Sequence, residues 1–124
     1  MRTIQDIMES LCDLSVVENP DYIEVTYPIE FSIYYSLVTI RIYTDNDCYY
    51  ITDEGYTFEE TNDCGSYYFD LYKKAGKYND FGITLEDETF CKEYSWDFDI
   101  RRAVDEFVRF LIYFDDFMSE NNLC

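Results

Sequence analysis

The strongest constraint on the fold lies near the end of the chain. Ile100, Ala103, Val104, Phe107, Leu111, Phe114 and Met118 recur there at the three- and four-residue spacing of an α-helix. The pattern predicts a helix from Asp97 or Phe98 to about Met118, roughly 30 Å long, with one wide apolar face. Asp97 and Asp99 stand at its start, where carboxylates complement the positive end of the helix dipole. A face that wide must be covered by another layer, and the preceding sequence supplies one.

Upstream, apolar residues alternate with polar ones at the two-residue period of β-strands. Ile23, Val25 and Tyr27 share one face of residues 22–27, and Val38, Ile40 and Ile42 share one face of residues 37–43. Further strands are expected over residues 15–17 and 49–52. Thr44-Asp45-Asn46-Asp47 is a hairpin turn in which Asp and Asn side chains bond their own backbone. A second small hairpin is expected from residues 83–86 and 89–93 around Asp87-Glu88. Residues 3–14 carry Ile4, Ile7, Met8 and Leu11 on one helical face, with Thr3 as N-cap and Asp6 three residues on. Short helices are expected over residues 56–63 and 66–75, stopped near Gly65 and Gly76. The expected architecture is one α+β domain over residues 1–124. A small antiparallel meander packs against an N-terminal helix, short middle helices and a long C-terminal helix.

Charge is the second constraint. The chain holds 27 Asp and Glu against 9 Lys and Arg, a formal net of −18, yet also 14 Tyr, 10 Phe and one Trp. That many rings distinguish it from a disordered acidic tail. The acids are unevenly placed. Residues 1–72 contain fifteen acids and only Arg2 and Arg41, and residues 42–72 contain eight acids and no base. One strongly negative face is expected, which disfavours direct contact with nucleic acid or anionic membranes and favours a basic protein surface.

Catalytic chemistry finds little support. With no histidine, the Ser-His-Asp, Cys-His and His-zinc arrangements are absent. Four glycines and no GxxxxGKS or GxGxxG run leave no phosphate loop. Asp53 with Glu54, or Asp115 with Asp116, would suit glycoside hydrolysis only if the carboxyl groups met across a cleft; solvated surface charge is the simpler reading. Asp45-Asn46-Asp47 resembles the start of a calcium loop, but Tyr49 and Tyr50 occupy its later positions. Cys12, Cys48, Cys64 and Cys91 would have to gather to hold a soft metal; scattered reduced thiols, with Cys124, are expected instead. No cofactor, metal or catalytic residue is assigned. No signal peptide or apolar run of transmembrane length is seen, so a reduced intracellular setting is expected.

The tyrosine pairs Tyr34-Tyr35, Tyr49-Tyr50 and Tyr67-Tyr68 each turn one ring away from the other in an extended segment. Half-exposed tyrosines beside carboxylates make large contacts at low entropic cost. Core packing accounts for others.

The run Tyr50-Ile51-Thr52-Asp53-Glu54-Gly55-Tyr56-Thr57-Phe58 resembles the strand–TDxG–helix signature of the phage and bacterial domain of unknown function 1828. Ile23-Glu24-Val25-Thr26-Tyr27-Pro28 resembles its extended segment, with Tyr27 inserted before the proline. Phe81-Gly82-Ile83-Thr84-Leu85-Glu86-Asp87 resembles its later hairpin, and the likeness spans residues 16–118. The resemblance implies an α+β fold and a phage or mobile-element setting in the host cytoplasm; it brings no activity with it. Locally, Thr52 or Asp53 can cap a following helix while Gly55 takes a turn closed to other residues.

The expected function is that of an acidic inhibitor imitating nucleic acid. It would bind the basic surface of a bacterial defence protein such as a CRISPR effector or restriction enzyme. Its expected contact residues are Asp45, Asp47, Asp53, Glu54, Glu59, Glu60, Asp63 and Asp70, with Tyr49 and Tyr67. The alternatives are a protein-binding or homodimerising module built on exposed tyrosines and, behind it, a carboxylate- or metal-dependent hydrolase.

Overall fold

The computed structural model describes residues 4–30, 37–45, 47–54, 81–86 and 89–120. Their elements are α1 (Ile4–Ser10), β1 (Ser15–Glu18), β2 (Ile23–Glu30), β3 (Leu37–Thr44), β4 (Cys48–Thr52), β5 (Thr84–Glu86), β6 (Thr89–Ser95) and α2 (Ile100–Glu120). The middle helices expected over residues 56–63 and 66–75 and the Thr3 cap lie outside the described residues.

The six described strands form one antiparallel sheet in the order β1-β2-β3-β4-β6-β5. The first four are the expected meander. The second hairpin joins it through its later strand, so β6 lies against β4 and β5 becomes the edge. The fold is therefore α+β, as the two periodicities required. No helix among the described residues is long and apolar enough to cross a membrane.

The pleat sorts the side chains. Ile23 and Val25, Val38, Ile40 and Ile42, Tyr49 and Ile51, and Phe90 and Tyr94 all point inward and are at most 4% exposed. The α2 stripe covers them: Ile100, Ala103, Val104, Phe107, Val108, Phe110, Leu111 and Phe114 are at most 1% exposed. At roughly 1.5–3 kcal/mol per large buried side chain, this helix–sheet contact dominates the stability of the fold. Phe90 is the hinge of the packing, with its ring edge-on to Phe110 at 4.7 Å and to Phe114 at 5.3 Å between centroids. Ile7 of α1 and Leu11 just after it complete the same core.

Helix α2 starts two or three residues later than its acidic flank suggested, because Asp99 is its cap. The Asp99 carboxylate accepts the Arg101 N–H at 2.9 Å, and its carbonyl accepts the Ala103 N–H at 3.0 Å. One inward position breaks the apolar pattern. Lys92 lies between Phe90 and Tyr94, and its ammonium donates to Glu106 of α2 and to the Phe81 carbonyl.

Candidate binding surface

Antiparallel pairing returns alternate turns to the same end of a sheet. The β1–β2 turn, the β3–β4 turn and the segment from β6 into α2 therefore share one end, since Glu18 pairs with Ile23 and Cys48 with Ser95. These three connections carry Glu18, Asp21, Asp45, Asp47, Asp97 and Asp99, all exposed, and no Lys or Arg between residues 18 and 22, 45 and 47, or 96 and 99. From β1 to β6 the strand spacing spreads them over about 19 Å. An open groove of about 570 Å³ continues this end onto the outer sheet face, lined by Asp45, Asp47, Cys48, Glu93, Tyr94 and Ser95.

The acidic end rests on a rigid aromatic foundation. Tyr49 is fully buried, its ring stacked on Tyr94 at 5.5 Å and edge-on to Trp96 at 5.8 Å. The Tyr49 hydroxyl donates to the Phe98 carbonyl at 2.9 Å, and the Trp96 indole donates to the Asp45 carbonyl at 2.8 Å. The two bonds tie the β6–α2 segment to β4 and to the β3–β4 turn, and hold their carboxylates in fixed relation. Beside them the Cys48 thiol donates to Glu93 Oε1 at 2.9 Å. That bond, with partial burial and the charges of Asp45 and Asp47, pushes the thiol up to about 11.

On the outer face, Tyr22, just before β2, forms a row with Tyr43 of β3 and Tyr50 of β4. The Tyr22 and Tyr43 rings are 5.6 Å apart, and Tyr43 stacks on Tyr50 at 5.1 Å with an interplanar angle of 8°. Arg41 lies 4.1 Å over Tyr22 and pairs with Glu24 across the strand at 3.5 Å. Burial, and then a hydrogen bond to Glu54, raises the Tyr43 hydroxyl above its ordinary range.

Several expected contact residues are placed elsewhere. Asp45 and Asp47 are exposed at the acidic end, as a binding role requires. Tyr49 is not an interface tyrosine: it is 0% exposed, because the pleat turns it inward and leaves Tyr50 on the outer face. Asp53 is likewise 0% exposed and offers nothing to a partner. Its Oδ1 accepts the Phe90 N–H at 2.9 Å while its own N–H donates to the Phe90 carbonyl at 3.2 Å, extending the β4–β6 ladder by one residue.

Asp53 and Glu54 stand at the far end of β4, about 20 Å from Asp47 at strand rise, so residues 42–54 do not form one acidic face. Thr52 caps the Glu54 N–H at 3.0 Å, and Glu54 itself takes the left-handed turn conformation (φ 54°). Glu59, Glu60, Asp63, Asp70 and Tyr67 lie outside the described residues. Sequence reasoning missed Glu18, Asp21, Asp97 and Asp99; their signal was an acid in each of three turns that an antiparallel sheet brings together.

The hydrolase pairs gain no geometry here. Asp53 is consumed by Phe90, and Asp115 is 4% exposed beside an exposed Asp116. Among the described residues no three His, Cys, Asp or Glu side chains are arranged to hold a metal ion. Cys12, Cys48 and Cys91 are free thiols, and Cys64 and Cys124 lie outside the described residues. No protein-family model matches the chain, and no curated protein or solved structure shows significant similarity to it.

Proposed function

We propose that the protein is a binding protein that presents its acidic end to the Lys- and Arg-lined surface of a nucleic-acid-binding protein. The carrying observation is the convergence of six exposed carboxylates from three turns that contain no base. Carboxylates held on a rigid end occupy positions where such a partner holds phosphates, and the net charge of −18 accelerates encounter. The resemblance of the Tyr50–Phe58 run to a phage and bacterial family directs the search to bacterial defence proteins, a CRISPR effector or restriction enzyme among them.

The test is capture from a bacterial lysate at about 50 mM and about 500 mM salt, with and without competing DNA. A basic nucleic-acid-binding protein should be retained at low salt and released by high salt or DNA. The Asp21→Asn/Asp45→Asn/Asp47→Asn/Asp97→Asn variant should lose that capture while its melting curve stays close to wild type. Recovery of no nucleic-acid-binding protein under any condition sinks the reading. The Tyr22–Tyr43–Tyr50 row supports a second reading, a tyrosine-based protein contact or homodimer. Capture or self-association that tolerates high salt and is lost through Tyr50→Ala would favour it.

A further inference from the structure

We propose that the cleft on the solvent side of α2, between Phe81 and Phe98, binds a small anion carrying an aromatic ring, of the class of a nucleoside monophosphate. The cleft measures about 330 Å³ and is lined by Phe81, Phe98, Arg102, Asp105, Glu106 and Arg109. This cleft adjoins the acidic end at Phe98, between Asp97 and Asp99, but does not depend on the function proposed for that end.

The charges lining the cleft are not equally available. Asp105 Oδ1 accepts the Tyr27 hydroxyl at 3.0 Å and Arg101 Nε at 3.0 Å. Glu106 Oε1 accepts the Tyr94 hydroxyl at 2.8 Å and the Lys92 ammonium. One oxygen of each carboxylate is thus engaged by groups that approach from the protein. Burial works against the Glu106 charge, but the bonds from Lys92 and Tyr94 outweigh it and hold the carboxyl below its ordinary range. Arg102 and Arg109, in contrast, are exposed and make no ion pair among the described residues. The two guanidiniums are thus the lining charges without an ion pair among the described residues, although Arg102 also helps to lower the Glu106 carboxyl, in a chain whose formal net charge is −18.

The two guanidiniums stand seven residues apart on one helix face, two turns or about 10 Å, and side chains of that length can converge on one phosphate. Each presents the planar donor fork that matches phosphate oxygens in pairs. Two rings flank them. Arg102 lies 5.5 Å over the Phe98 ring, and Phe81 is half-buried with its ring braced against Phe110 at 5.6 Å and Tyr113 at 5.9 Å. A planar ligand ring gains stacking area against Phe81 while its anion reaches the arginines; the Phe98 ring is already packed on Tyr94 at 5.1 Å and carries Arg102. The volume sits at the lower end of small-ligand sites, which suits a mononucleotide. The global charge opposes any anion, but salt screens it beyond about 8 Å, so the lining charges decide the outcome, two guanidiniums unpaired among the described residues against two carboxylates already engaged by the protein.

The probe is adenosine monophosphate, titrated into the full chain at about 150 mM salt and followed by calorimetry and by NMR shifts of the α2 amides. Saturable binding is expected, with adenosine and ribose 5-phosphate each about tenfold weaker or more, since each lacks half of the recognised chemistry. Arg102→Gln and Arg109→Gln should each weaken binding by about tenfold, and the Arg102→Lys/Arg109→Lys variant should fall between. Asp47→Asn should bind as wild type does. Absence of saturable binding up to about 10 mM, weaker than any small-ligand site of use, overturns the proposal. So does undiminished binding to an Arg102→Gln/Arg109→Gln variant whose circular dichroism and melting are native. Ribose 5-phosphate binding as tightly as the nucleotide would remove the aromatic half of the inference.

Discussion

Replacing Asp53 with Ala separates the structural account of this residue from a binding one. The carboxylate is fully buried and accepts the N–H of Phe90, itself fully buried, at 2.9 Å. Two terms oppose each other. Removing a buried carboxylate relieves its desolvation, but the Phe90 N–H then loses its acceptor where water does not replace it. Because the Phe90 N–H lies in the wall of the core, the orphaned donor wins, at about 1–3 kcal/mol. With an unfolding entropy of about 2.1 cal/mol/K per residue, 124 residues convert 2 kcal/mol into a drop of about 8 °C in melting temperature. Asp53→Asn keeps an oxygen facing Phe90 and should cost less than Asp53→Ala. Asp47→Asn, at an exposed turn, should stay within about 0.5 kcal/mol of wild type. Urea unfolding followed by circular dichroism reads all three, and unchanged slopes would show that the unfolded state is not the cause. If Asp53→Ala unfolds within about 0.5 kcal/mol of wild type, the Asp53–Phe90 clamp does not hold β4 to β6 as argued.

Two further outcomes follow from the titrating groups. The Lys92 and Tyr94 bonds depress the folded-state Glu106 carboxyl below the reference value of 4.5, so its stabilisation is present above about pH 4.5 and lost as pH falls through the folded-state value. The stability gap between wild type and Glu106→Gln should therefore be open at pH 7 and close by about pH 3, read from urea titrations at both; a gap that widens in acid refutes this. The Cys48 thiol, pushed up from 9.0 to about 11 chiefly by Glu93, should alkylate slowly at pH 8, and Glu93→Gln should speed it by about tenfold or more. Mass-spectrometric rates for the Cys48 peptide check it, and an unchanged rate would show that Glu93 does not control the thiol.

Much of the fold was legible in the sequence because hydrophobic period reports local geometry directly. The stripe from Ile100 to Phe114 and the alternations around Ile23–Val25 and Val38–Ile42 are consequences of 3.6- and 2-residue repeats, and all of those residues are buried. Which ring of the Tyr49-Tyr50 pair lay inside was not legible, since a one-residue shift in register exchanges the faces. Nor was the inward Lys92, whose placement depends on Glu106, fourteen residues away on another element.

The sequence by itself determined that this chain is strongly acidic, aromatic-rich and built from one long amphipathic helix over alternating strands, because charge and periodicity are summed along the chain. Only the tertiary structure decided where the acids lie. Strand pairing carried Asp53 into the core beside Phe90 and gathered Glu18, Asp21, Asp45, Asp47, Asp97 and Asp99 at the opposite end of β4. Their shared location is set by which turns an antiparallel sheet returns to one end, a relation among residues up to 81 positions apart (18 to 99) that nearest-neighbour charge density does not contain.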